Sequence, residues 1–177
     1  MTHNRRNFLP GSSYFFTVNL AERRLTLLTD HIDRLRHAFR YTRTRHSFIV
    51  EAIVVLPDHL HAIWTLSEND ADFATRWRLI KTEFSRGLPV SERRSQSRAA
   101  KGERGIWQRR YWEHTLRDET DLANHAAYLH FNPVKHGYVN RVNDWPYSSF
   151  QRWVRLGCYA EDWAGEITNT EQDVGER

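Results

Sequence analysis

The stretch FIVEAIVVLPDHLHAIWTL, residues 48–66, constrains this chain more than any other. Residues 48–56 are mostly β-branched and apolar, the composition of a buried strand. Pro57 fixes its own φ and, with Asp58, supplies a tight turn. Residues 60–66 then read as the returning strand. A chain containing this unit is expected to build a sheet with helices packed against it.

The rest of the sequence supplies the covers. YFFTVNL, residues 14–20, is aromatic and β-branched and reads as another strand. Residues 31–44 place Ile32, Leu35, Ala38 and Phe39 at helical spacing on a basic helix. Residues 72–86 form a second amphipathic helix, with Phe73, Trp77, Ile80 and Phe84 three or four apart; Gly87 and Pro89 stop it. Residues 107–116 have the aromatic and β-branched content of a fourth strand. Asp118 is a fitting N-cap, with Glu119 and Asp121 in the first turn of the helix that follows. Pro133 disfavours helical geometry at the residue before it, which predicts an end near Phe131 or Asn132. A short helix is expected over 148–156, and the polar tail at 161–177 should fray.

Strand, helix, strand, strand, helix, strand, helix is the order of a split βαβ unit. The expected architecture is therefore α+β, a ferredoxin-like antiparallel sheet flanked by helices. At 177 residues and 40% hydrophobic content, one domain over 1–160 is expected, without internal repeats. The single cysteine, Cys158, excludes an internal disulfide framework. Residues 1–10 lack the apolar centre of a signal peptide, and no run approaches the roughly 18 apolar residues of a membrane span. The expectation is a soluble cytoplasmic protein with no membrane partner, nucleoid-associated when it binds DNA.

A net charge of +4 points only modestly to a polyanionic partner. The distribution is more telling. Between 91 and 110, Arg93, Arg94, Arg98, Lys101, Arg104, Arg109 and Arg110 face only Glu92 and Glu103. The segment is either a solvated loop or one that orders on its ligand. Trp107, Tyr111 and Trp112 at its end could stack on unpaired bases. Further candidates for phosphate contacts are Arg5, Arg6, Arg23, Arg24, Lys81 and Arg86.

Two short patterns carry chemistry. On a strand, residues i and i+2 share a face, so His59 and His61 project together and can hold one divalent metal if another ligand joins them. Asp58 could orient a ligand histidine, although a turn aspartate explains it equally well. On a helix, Tyr128 and Asn132 lie about 40° apart around the axis. Tyrosine can attack phosphorus, and an amide oxygen one turn away suits a hard cation. No phosphate-cradling glycine loop is present.

Taken together, VVLPDHLHAIW, IWQRRYWEHTLRDE, YLHFNPVKHGYV and DWPYSSF resemble the REP-associated tyrosine transposases, a branch of the single-tyrosine HUH-endonuclease superfamily. The resemblance runs in order from Tyr14 to about Phe150. It implies an antiparallel sheet flanked by helices, Tyr128 as nucleophile, and His59 and His61 as ligands of Mg2+ or Mn2+ with Asn132 as the third. It also implies single-stranded DNA from repetitive extragenic palindromes as substrate, recognised through a hairpin and a nearby guide sequence, and nicked and rejoined through a 5′-phosphotyrosine. Three rivals stay open: a binding module that no longer nicks, a replication-initiator or relaxase nickase, and a phosphodiesterase in which water attacks. Monomer and homodimer are both compatible with the sequence.

Overall fold

The computed structural model describes residues 7–90, 92 and 95–165. Its elements are strand β1 (Ser13–Asn19), helices α1 (Leu27–Asp30) and α2 (Ile32–Arg43), strands β2 (Ile49–Val55) and β3 (His59–Thr65), helices α3 (Phe73–Arg86) and α4 (Gln96–Ala100), strand β4 (Trp112–Thr115), helix α5 (Glu119–Lys135), a 3-10 turn (Val142–Asp144) and helix α6 (Phe150–Arg155). Antiparallel pairing gives the order β2-β3-β1-β4. β3 thus sits between β1 and β2, the split βαβ arrangement expected of a mixed α+β chain. No helix of the described residues is long and apolar enough to cross a membrane.

Both faces of the sheet are covered, which is why β1 and β3 have almost no exposed positions. Alternation along the strands sends Tyr14, Phe16 and Val18 of β1, with Leu60, Ala62 and Trp64 of β3, to one face. There they meet α2 and α3 through Leu35, Phe39, Trp77 and Phe84. Trp64 and Trp77 stack at 4.2 Å and are fully buried, so truncating either to alanine should cost about 3–5 kcal/mol. Phe15, Ile63, Ala52 and Val54 take the opposite face and meet Ala126, Tyr128 and Leu129 of α5. The second face carries the catalytic residues expected from the sequence.

Three expectations need correction. Helix α5 does not end at Asn132: it runs through Pro133 to Lys135. Pro133 forfeits only one backbone bond in a last turn otherwise closed by His136 N–H to the Asn132 carbonyl, 3.0 Å. The terminator is Gly137, whose φ of 72° is the left-handed C-terminal geometry. The fourth strand is shorter than 107–116, because the chain makes one bridge, Leu20 to Trp107, and leaves β1 before returning at Trp112. The basic segment also contains a helical turn, α4, where the sequence has no apolar period. Its tie is Arg104, which donates to Glu92 at 2.6 Å and to the carbonyls of Ser85, Leu88 and Pro89. The short α1 and the 3-10 turn have no periodicity long enough to reveal them in sequence.

Candidate active site

The hairpin turn at Pro57-Asp58 delivers His59 and His61 to the α5 face, opposite Asn19 and Thr17 of β1. Both imidazoles are buried. Asp58 Oδ1 lies 2.7 Å from His59 Nδ1, and its other oxygen receives Arg23 Nε. Burial alone would raise the Asp58 pKa, but the hydrogen bonds from His59 and Arg23 outweigh it and hold the carboxyl at about 2. Asp58 is therefore both the turn residue and the group that orients His59. With Nδ1–H donating to Asp58, His59 Nε2 carries the lone pair. That atom is buried and has no hydrogen-bond partner. On His61, Nδ1 faces Thr17 Oγ1 at 2.9 Å, and Nε2 is likewise shielded from solvent.

Ring orientation decides what such a pair can do. An imidazole lone pair lies in the ring plane, so two rings can share an ion only where their planes cross nearby. His59 and His61 are 5.1 Å apart at 87°, which meets this condition. The buried Nε2 of His59 is the kind of atom that a divalent cation would satisfy. Residues and group therefore fit.

Helix α5 supplies the rest from the same chain. Asp118 caps it by accepting the Asp121 N–H at 2.8 Å. Tyr128 is 9% exposed, with its ring 5.6 Å from that of His61 and 6.2 Å from Phe15. Asn132 is fully buried one turn on, and its side-chain oxygen is closed to solvent. Lys135 was not singled out in the sequence, yet its Nζ donates to Tyr128 Oη at 3.1 Å and lies 4.8 Å from the ring centre. Its pKa is lowered by burial. The seven-residue spacing from Tyr128, two helical turns, was the available signal. His136, also overlooked, brings its ring to 5.3 Å from His59.

A second cluster joins β4 to the start of α5. His114 Nε2 and His125 Nδ1 each lie 3.0 Å from a different oxygen of Asp121. Their potential ligand atoms fall within 4.8 Å of one another, so the group could hold a metal ion. As arranged, the rings of His114 and His125 are stacked at 4.7 Å and 17°, and a shared ion would require one to turn. Burial would raise the Asp121 pKa, but hydrogen bonds from His114 and Arg117 bring it to about 2. The i,i+4 spacing of Asp121 and His125 could have drawn attention to the pair.

The candidate phosphate contacts divide. Arg5, Arg6, Arg93 and Arg94 lie outside the described residues. Arg23 sits on Asp58, and Arg24 pairs with Glu22 at 3.0 Å on the surface. Lys81, Arg86, Arg98, Lys101, Arg104 and Arg109 line one open cleft of about 800 Å3 between α3 and residues 98–109. Several have structural duties there: Lys81 donates to the Gln108 carbonyl, Arg98 to that of Trp107, and Arg109 pairs with Glu103. Arg110 is exposed. Trp107 is buried and donates to Ser85, Tyr111 packs beside Phe16 and Trp77, and Trp112 stands edge-on to Phe15.

The cleft and Tyr128 lie on opposite faces of the sheet. They converge at one end of it, where Asn19 pairs with His59 and its carbonyl accepts the Gln108 N–H at 2.9 Å.

No family model matches the chain. Whole-chain comparisons are informative instead. A Haemophilus influenzae protein assigned to the REP-associated tyrosine transposases is 49% identical over 166 residues, covering 93% of this chain and 94% of that one. The REP-associated tyrosine transposase of Escherichia coli K12 is 45% identical over 177 residues, covering 100% and 98%. A solved structure of a REP-associated tyrosine transposase bound to a REP hairpin superposes with a TM-score of 0.85 at 45% identity, covering 100% of this chain and 98% of that one. Identity at this level along the whole chain, with a histidine pair and a tyrosine helix facing each other, places the chain in the family of REP-associated tyrosine transposases.

Proposed function

We propose that this chain nicks and rejoins single-stranded DNA beside a REP-type hairpin, using Tyr128 as a covalent nucleophile. The observation that carries the reading is the placement of Tyr128 against His61, next to a His59 whose Nε2 is buried without a hydrogen-bond partner and whose Nδ1 is held by Asp58. A divalent cation, Mg2+ or Mn2+, held by His59, His61 and Asn132 would draw negative charge from the scissile phosphate when bound.

The residues do the remaining work. Lys135 holds the Tyr128 oxygen by a hydrogen bond at 3.1 Å, and its charge favours the negative charge that develops there as the O–H proton is lost. A free phenol near pKa 10 is mostly protonated at neutral pH, so this help is needed. The Tyr128 oxygen forms a bond to phosphorus, the bond to the 3′-oxygen breaks, and that oxygen takes up a proton. A 5′-phosphotyrosine and a free 3′-hydroxyl result. The new diester conserves the energy of the old one, so a 3′-hydroxyl can attack it and rejoin strands. Affinity would come from phosphate contacts in the cleft between α3 and residues 98–109, with DNA passing round the shared end of the sheet to Tyr128. The solved relative bound to a REP hairpin supports this choice of partner.

The test is a labelled single-stranded hairpin with flanking sequence, incubated with Mg2+ or Mn2+ and resolved on a denaturing gel. Wild type is expected to give a slow-migrating covalent species that Tyr128→Phe lacks. Cleavage that persists in Tyr128→Phe would assign the attack to water.

A further inference from the structure

The metal reading places two imidazoles and one amide on the ion, and His136 was given no part in it. We infer that His136 is a further ligand of the same cation, making a three-imidazole site that favours Mn2+ and other first-row transition ions over Mg2+. The inference rests on the assignment of His59 and His61 as ligands.

Three observations point the same way. His136 is the C-cap of α5 and follows Asn132 by four residues, so both side chains leave the helix on the same side. Its ring lies 5.3 Å from that of His59 with the planes at 72°, close to the 5.1 Å and 87° that relate His59 to His61. Crossed planes let in-plane lone pairs converge, which the stacked rings of His114 and His125 do not allow. Finally, the residue is solvent-accessible, so its ring can turn toward the pair.

The choice of ion follows from donor chemistry. Mg2+ prefers oxygen donors and keeps much of its water, whereas imidazole suits later first-row ions. A third imidazole therefore raises affinity for Co2+ or Mn2+ more than for Mg2+.

The experiment needs no DNA. Wild type, His136→Gln and His59→Ala would be titrated calorimetrically with Co2+, Mn2+ and Mg2+, and the visible absorption of bound Co2+ recorded. Circular dichroism would check folding; the substitution sits at an exposed helix end. His136→Gln is expected to weaken Co2+ and Mn2+ by about tenfold or more, a loss of the size seen for disrupted ligand shells, and to change the Co2+ spectrum. Mg2+ affinity should fall less. If His136→Gln keeps wild-type Co2+ affinity and spectrum while His59→Ala loses both, the His136 assignment is wrong and the histidine-pair reading survives. If His59→Ala also binds like wild type, both fall together. Pulsed electron paramagnetic resonance on Mn2+-loaded wild type gives a mutation-free check. Three imidazole nitrogens support the assignment, and two overturn it.

Discussion

Asp58→Asn tests the carboxylate that links Arg23 to His59. The side chain is 12% exposed, lies between His59 and Arg23, and has its pKa held at about 2 instead of 3.8. A depressed carboxyl pKa favours the folded chain by about 2 kcal/mol at neutral pH. The sign follows from proton binding: between about pH 4 and 2 the unfolded chain binds the proton that the folded chain refuses. This contribution is therefore complete above about pH 4 and lost as the pH falls toward 2. Asparagine keeps the shape and an acceptor oxygen but removes the charge, so the variant should lose about 2 kcal/mol at pH 7 and almost nothing at pH 2. Urea unfolding of both proteins from pH 2 to 7 measures the difference directly. Asp121, also held at about 2, is present in both and cancels. In a chain of this size the loss should lower the melting temperature by about 4–8 °C at pH 7. Metal affinity should fall about 10- to 100-fold because a neutral amide no longer raises the basicity of His59 as the carboxylate does. A stability difference that is absent, or the same at every pH, would refute the electrostatic account of Asp58.

Other predictions address separate parts of the structure. Lys135→Met should slow covalent adduct formation by about 10- to 100-fold while hairpin affinity, read by fluorescence anisotropy, stays near wild type. His130 is fully buried, with its Nε2 2.8 Å from Ser149 Oγ and its pKa pushed down to about 3, first by burial. The unfolded chain binds that proton first, so stability should decline as pH falls from about 6.5 toward 3, and His130→Gln should flatten this part of the unfolding profile. Arg104→Ala should cost about 2–4 kcal/mol in chemical unfolding, because it strips Glu92 and three carbonyls of their donor. Arg110→Ala should leave stability unchanged, weaken hairpin binding, and reduce the salt dependence of affinity by about one phosphate contact.

The features legible in the sequence were those that repeat. The aromatic and β-branched content of YFFTVNL marks β1, the apolar run at 52–56 marks β2, and the spacing of Phe73, Trp77, Ile80 and Phe84 marks α3. His59 and His61 were legible because strand geometry alone puts them on one face. Long-range placement was not. Nothing local indicates that Trp107 is buried with its N–H on Ser85, or that Arg104 ties Ser85, Leu88 and Pro89 together. The proline rule misplaced the end of α5 because a missing N–H costs little in a last turn that a left-handed glycine closes. Lys135 was overlooked because its significance depends on where Tyr128 points, and Arg23 reads as a surface cation until Asp58 is seen beside it.

The central claim is that the Tyr128 oxygen becomes covalently joined to DNA at a site completed by His59 and His61. Mass spectrometry of the protease-digested adduct, formed with Mn2+ and a single-stranded hairpin, tests it most directly. The expected result is one nucleotide-modified peptide with the phosphodiester on Tyr128, absent after chelation and absent in His59→Ala. Modification on another residue, or an adduct that forms equally well without the metal or the histidine, would contradict the account.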